Sequence, residues 1–102
     1  MTQVLLRYKV KPEHAAENEQ LVRAVYEELQ CTEPSGFHYA TFQAGDGATF
    51  VHLSATQAGD GRTPLPELEA FKRFQENIED RCDEPPVLTR LREIGSYHLP
   101  GE

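Results

Sequence analysis

Two histidines and a tyrosine near the middle of the chain carry side chains suited to proton transfer. His38 and Tyr39 lie in one β-prone segment, and His52 lies in the next. A neutral imidazole in an apolar cavity can take a proton from a phenol or an enol. If the segments pair so that Ala40 faces His52, both imidazoles project from one face of a hairpin. We therefore predict His38, His52 and Tyr39 as candidate catalytic residues. The competing interpretation is that both histidines are hydrogen-bonded core or interface residues, because one residue of register separates the two cases.

Other side chains suggest a ligand site or a metal site less directly. Tyr8, Phe71 and Phe74 could line a pocket for a small aromatic ligand, although core packing explains aromatic residues at helical spacing equally well. The two central imidazoles could begin a metal site, but neither segment contains Asp, Glu or Cys as a third ligand. His98 would have to reach them from a distant strand. We therefore expect no metal.

Length and charge restrict the classes of function. A chain of 102 residues is expected to form one domain, residues 1–102. Its net charge of −7 disfavours binding to nucleic acid or to an anionic membrane. The apolar runs are too short for a membrane span or a signal peptide. Cys31 and Cys82 lack the spacing of a metal site, which favours free thiols in a reducing cytoplasm.

Hydrophobic periodicity and chain breakers predict four strands and two helices. Period-two segments and turn residues predict strands, and apolar residues three or four apart predict helices. The predicted order is a strand over 3–10, a helix over 12–31, strands over 37–43 and 49–55, a helix over 66–82, and a strand near 93–98. This order predicts an α+β ferredoxin-like βαββαβ domain, a four-stranded antiparallel sheet with two helices on one face. Cys31 and Cys82 then lie at opposite ends of the helix layer, too far apart for a disulfide.

The sheet face away from the helices is predicted to be apolar. It keeps Leu5 together with either the pair Phe42 and Phe50 or a set of three residues, depending on the hairpin register. That set is Phe37, Val51 and Leu53. Because a face exposed to water should be polar, we predict a homodimer packed sheet to sheet.

Several segments resemble the antibiotic biosynthesis monooxygenase family of dimeric α/β barrels. They are a strand that ends in Lys11-Pro12, a Pro34-Ser35-Gly36 turn before an aromatic strand, a Phe50-Val51-His52-Leu53 segment, and a late Pro85-Pro86. The resemblance covers almost the whole chain. It implies a cofactor-independent monooxygenase acting on a small phenolic or quinol-like aromatic substrate, with no cofactor and a homodimeric assembly.

The chain departs from this family at positions that often carry its catalysis. Family members often have a Trp after the third strand, where this chain has Ser54 to Gln57 and no Trp at all. They often have a His before a Phe in the second helix, where this chain has Arg73-Phe74. The resemblance therefore transfers no catalytic residue, and haem degradation is not expected. The alternative to a monooxygenase is a non-catalytic dimer that binds a small ligand on the same scaffold.

Overall fold

The computed structural model describes residues 1–97. The chain order is β1 (Thr2–Val10), α1 (Ala15–Thr32), β2 (Phe37–Gln43), β3 (Thr49–Thr56), α2 (Glu69–Gln75), α3 (Ile78–Arg81) and β4 (Cys82–Leu91). The strands form one antiparallel sheet in the order β2-β3-β1-β4, and the helices pack on one face of it. The predicted ferredoxin-like fold is confirmed. Cys31 and Cys82 are both free thiols.

The second predicted helix, over 66–82, is wrong as one continuous element. Leu65–Glu67 form a 3-10 turn, and α2 ends at Gln75. Glu76 is extended and Asn77 is left-handed with φ 56°, so the helix stops before α3 begins. The apolar spacing continues across this break because α2 and α3 both pack against the same core, which hides the interruption from a periodicity argument.

The last strand lies earlier than predicted, at Cys82–Leu91 instead of near 93–98. Pro85 and Pro86 lie inside β4 at the edge of the sheet, although proline usually interrupts a strand. Both stand opposite Tyr8, where the pairing with β1 shifts register. An edge strand tolerates proline at a bulge because one side of the strand has no hydrogen-bonding partner. Residues 92–97 form no regular element, and His98 lies outside the described residues.

The hairpin register differs by one residue from the predicted one. Thr41 faces His52 and Ala40 faces Leu53. Since alternate strand residues point to opposite faces, Tyr39, Thr41 and His52 point toward the helices, whereas His38 points away. The predicted pairing of His38 with His52 on one face is wrong.

The face opposite the helices carries a row of apolar side chains. It combines residues from both of the predicted apolar sets, because the observed hairpin register places Phe42 on the same face as Val51 and Leu53. The row comprises Leu5, Phe42, Val51, Leu53, Val87 and Leu91. Phe42 is 55% exposed and Val87 is 60% exposed.

A carboxylate on α1 connects the two main helices. Glu28 Oε1 accepts the backbone N–H of Ala70 at 2.8 Å, and Oε2 accepts that of Glu69 at 3.2 Å. Glu28 lies in the last turns of α1, where a negative charge opposes the dipole of its own helix. It caps the start of α2, where Leu68 provides no side-chain cap, so its position is favourable for the neighbouring helix.

We expect Glu28→Ala to lower the free energy of unfolding by about 1 kcal/mol, the usual effect of losing a helix cap. Glu27→Ala is the matched control, because Glu27 is the exposed preceding residue of the same helix. Urea unfolding of both variants checks this. Equal effects in the two variants would contradict the capping role of Glu28.

Candidate functional site

His52 is the centre of a buried polar cluster beneath the helices. The residue is 3% exposed, and both ring nitrogens have tyrosine partners. Nε2 lies 2.7 Å from the Tyr8 hydroxyl, and Nδ1 lies 2.7 Å from the Tyr39 hydroxyl. Because β1 and β2 are the two neighbours of β3, they bring one tyrosine to each side of the imidazole.

Three further polar side chains extend this cluster. Asn18 on α1 donates its Nδ2 N–H to the Tyr8 hydroxyl at 2.9 Å. Thr41 Oγ1 lies 3.1 Å from His52 Nδ1 and 2.7 Å from the Tyr26 hydroxyl. The buried imidazole is therefore part of a network that joins α1 to three strands.

Aromatic rings fill the space around this network. The Phe74 ring centre lies 5.4 Å from that of His52 and 6.0 Å from that of Tyr8. Phe71 packs behind Phe74, with ring centres 5.8 Å apart. Phe71 and Phe74 are both core residues with little exposed surface.

Burial sets the protonation states of the cluster. It lowers the pKa of His52 to about 4, because the charged imidazolium would lose its hydration. Burial also raises the pKa of Tyr39 and of Tyr8 far above the usual value for tyrosine, and raises that of Tyr26. The imidazole and the three hydroxyls are therefore neutral near pH 7, and the network can orient protons without carrying net charge.

Two surface grooves lie at opposite ends of the helix layer. The first, here called the Tyr39 groove, has a volume of about 230 Å³. It is lined by Tyr26, Leu29, Gln30, Glu33, Pro34, Phe37 and Tyr39. The second has a volume of about 480 Å³ and a mostly charged lining, which comprises His14, Glu17, Leu21, Arg73, Glu76, Asn77, Asp80 and Arg81. The Tyr39 groove has the more aromatic lining of the two.

The predicted site residues fall into three places. Tyr39 lines the Tyr39 groove and contacts His52. Tyr8, Phe71 and Phe74 lie in the core and line neither of these two grooves. His38 is exposed on the opposite face of the sheet. The structure thus brings His52, Tyr39 and Tyr8 together and separates His38 from them.

Sequence reasoning missed the residues that complete the network. Asn18 and Tyr26 both occupy positions of the apolar stripe of α1. A polar residue within such a stripe is a signal for a buried hydrogen bond. Thr41 could be placed beside His52 only with the correct hairpin register.

Over residues 1–97, no group of three or more His, Cys, Asp or Glu side chains is arranged to hold a metal ion. No helix in this part of the chain has both the length and the apolarity needed to cross a membrane.

Comparison with solved structures identifies known proteins that share this fold. A candidate antibiotic biosynthesis monooxygenase from Nitrosomonas europaea is 16% identical, with a TM-score of 0.74 over 91% of this chain and 89% of that one. A crystal structure of an antibiotic biosynthesis monooxygenase is 19% identical, with a TM-score of 0.73 over 93% of this chain and 100% of that one. The chain has the antibiotic biosynthesis monooxygenase fold. The resemblance predicted from the sequence is confirmed for the scaffold.

The same fold also occurs in proteins without an assigned activity. A Nitrosomonas europaea protein of unknown function is 17% identical, with a TM-score of 0.73 over 99% of this chain and 95% of that one. No protein-family model and no curated protein sequence matches the chain. Identities this low establish the fold, so function has to be argued from the residues of the site.

The low pKa of His52 predicts a pH-dependent stability. In the unfolded chain His52 takes up a proton near pH 6.5, whereas in the folded protein it does so only near pH 4. The stability from neutral His52 is therefore complete above about pH 6.5 and is lost as pH falls toward 4, by about 3 kcal/mol in all.

In His52→Gln the stability loss that comes from protonating His52 should be absent. Its free energy of unfolding should therefore fall less than that of the wild type between pH 6.5 and 4. His38→Gln is the matched control and should retain this loss, because His38 is exposed. Urea unfolding at several pH values measures the slope, and identical slopes for His52→Gln and the wild type would refute the assignment.

Proposed function

We propose that this protein binds a small aromatic molecule in the Tyr39 groove and oxidises it with dioxygen as a cofactor-independent monooxygenase. One observation carries the proposal. The Tyr39 ring lines the groove while its hydroxyl lies 2.7 Å from His52 Nδ1, so a surface binding site meets the buried polar network at this residue. The antibiotic biosynthesis monooxygenase fold adds support by analogy.

The groove has the shape and chemistry for a planar ring. Tyr39 stacks between Tyr26, at 5.3 Å between ring centres, and Phe37, at 5.8 Å. Together they offer aromatic surface on which a ligand ring can pack. The volume of about 230 Å³ is below the usual range for ligand pockets, which favours ligands of one to three fused rings.

The reaction follows from electron balance. A monooxygenase without a reductant must draw from its substrate all four electrons that reduce dioxygen. An electron-rich phenol with an oxidisable ring CH₂, of the anthrone type, satisfies this requirement. Its CH₂ and O₂ give a C=O group and water, with one oxygen atom in each product. The protein's tasks are to orient the substrate, favour its anion and exclude water.

Within this proposal His52 is a positioning residue. Both of its ring nitrogens are already hydrogen-bonded, and its pKa of about 4 makes it a weak base near neutral pH. Its task is to hold the Tyr39 hydroxyl toward the substrate. Glu33 is the carboxylate among the residues that line the groove, and it takes the proton that the substrate releases.

Non-catalytic binding of the same kind of ligand is the second candidate function. The observation that favours it is the dense packing around His52, whose ring contacts Tyr8, Tyr39 and Phe74 on several sides. A filled core of this kind gives the substrate no direct access to the imidazole, so the groove then serves for binding alone.

The assembly that we propose is a homodimer through the apolar face of the sheet. Leu53 is 37% exposed and Leu91 is 38% exposed there, beside the more exposed Phe42 and Val87. A second copy of this chain would cover the row and remove it from water. Each protomer would keep its own Tyr39 groove, because that groove lies on the helix side.

Oxygen uptake with a panel of anthrone-type phenols and flavonols tests the catalytic proposal. We expect uptake with the anthrone-type phenols without added metal or flavin, with one quinone carbonyl formed per O₂ consumed, and no such product from the flavonols, which lack an oxidisable ring CH₂. Tyr39→Phe should lower kcat/KM about tenfold or more, since it removes the hydroxyl that faces the substrate. Tyr26→Phe is the matched control, because Tyr26 lines the same groove and has no hydrogen bond to His52.

The outcomes separate the two candidate functions. Binding without oxygen uptake, followed by fluorescence titration, would leave the non-catalytic role. Equal activities of Tyr39→Phe and Tyr26→Phe would contradict the role of Tyr39. His38→Ala should behave like the wild type toward the ligand because His38 lies on the other face of the sheet.

Light scattering across a dilution series tests the dimer. We expect the wild type to have the mass of two chains and Phe42→Glu to have the mass of one, because a charge cannot be buried unpaired at an apolar interface. Leu88→Glu is the matched control, since Leu88 is 69% exposed but pairs with Leu6 and so points to the helix side. A single-chain mass for the wild type at all concentrations would refute the dimer.

A further inference from the structure

Four side chains form a continuous line of hydrogen bonds from α1 to the Tyr39 groove. Asn18 Nδ2 lies 2.9 Å from the Tyr8 hydroxyl, which lies 2.7 Å from His52 Nε2. His52 Nδ1 lies 2.7 Å from the Tyr39 hydroxyl. Asn18 has no exposed surface, and Tyr8 and His52 are also buried, so water does not compete for these bonds.

The orientation of the Asn18 amide, with Nδ2 toward Tyr8, sets the direction of every later bond. The Asn18 amide nitrogen can only donate, so the Tyr8 oxygen accepts from it. The Tyr8 proton is then directed to His52, whose Nε2 must be unprotonated to accept it. A neutral imidazole carries one N–H, which must therefore be on Nδ1. This N–H donates to the Tyr39 oxygen.

The tautomer of His52 also sets the role of Tyr39, which lines the groove. Because its oxygen accepts from His52, the Tyr39 hydroxyl does not donate its own proton to His52 and keeps that proton free for a further partner. Because burial keeps Tyr39 neutral, its proton stays available for a ligand in the groove.

We propose that Asn18 and Tyr8 are positioning residues that fix the Nδ1–H tautomer of His52, make Tyr39 a hydrogen-bond donor, and so select an aromatic ketone as ligand. The ligand part of this inference rests on the proposed function, whereas the tautomer does not. Glu33 also lines the groove, and its carboxylate disfavours a ligand that is already anionic. A neutral ketone can accept a hydrogen bond from Tyr39 and carries no negative charge for Glu33 to repel.

The ketone oxygen is also the right place for the Tyr39 proton during oxidation. When an anthrone-type CH₂ loses a proton, negative charge develops on the carbonyl oxygen. A donor already aimed at that oxygen stabilises the enolate more than it stabilises the ketone. The direction of the hydrogen-bond line thus serves both selection and reaction.

The tautomer is tested by ¹⁵N NMR of the imidazole in the intact protein near neutral pH. We expect the wild type to carry its proton on Nδ1, with Nε2 showing the shift of an unprotonated nitrogen. Asn18→Leu, which is similar in size, removes the amide donor, so the Tyr8 hydroxyl can turn and both tautomers should be populated. A residue with only a packing role would leave the tautomer unchanged in this variant.

Ligand selection is tested with two bicyclic probes of similar size. Chromone has a carbonyl acceptor and no donor, whereas indole has an N–H donor and no conventional acceptor. We expect the wild type to bind chromone roughly fivefold tighter than indole, the effect of about one hydrogen bond. Tyr39→Phe should abolish the difference, and His38→Gln, on the opposite face of the sheet, should retain it.

The results test the tautomer of His52 and the choice of ligand separately. An Nε2–H tautomer in the wild type, or a wild type that prefers indole, would overturn the direction of the hydrogen-bond line. An Nδ1–H tautomer with no binding of either probe would overturn the ligand assignment and the proposed function, while supporting Asn18 and Tyr8 as positioning residues. An Nδ1–H tautomer with chromone preferred supports the whole inference.

Discussion

The burial of one neutral imidazole, satisfied on both ring nitrogens, is the constraint on which this site depends. A buried imidazole without partners would be costly, and a charged one would be more costly still. Tyr8 and Tyr39 meet the requirement from opposite sides. They can do so only when the three strands that carry them and His52 are in one register, so a slip of one residue would remove the network as well as the core.

The same network explains why the groove does not extend as far as His52. Aromatic rings occupy the space beside His52, and the surface groove begins only at Tyr39. The fold therefore places a rigid, dry interior directly behind the Tyr39 side chain, which lines the groove. A Tyr39 hydroxyl that is preorganised by its bond to His52 needs little rearrangement on binding.

The sequence was sufficient for the architecture, because alternating strands and an apolar helix stripe are long, repeated signals. It was insufficient where one residue decided the outcome. The sequence alone allows His38 to share a face with His52, because the turn around Asp46 permits more than one register. The structure fixes that turn through Asp46, which accepts hydrogen bonds from the backbone of Ala48 and from Thr49. Likewise, the left-handed Asn77 interrupts a helix whose apolar spacing continues.

The two adjacent prolines of β4 bear on how this sheet meets other chains. Strand edges are templates for the addition of further strands, and β4 is such an edge. Pro85 and Pro86 have no backbone N–H, and the bulge that contains them breaks the regular spacing of the strand. An incoming strand would find a gap in the hydrogen-bond ladder there. This edge is thereby protected against open-ended polymerisation, which leaves the face of the sheet, where the proposed dimer closes on itself.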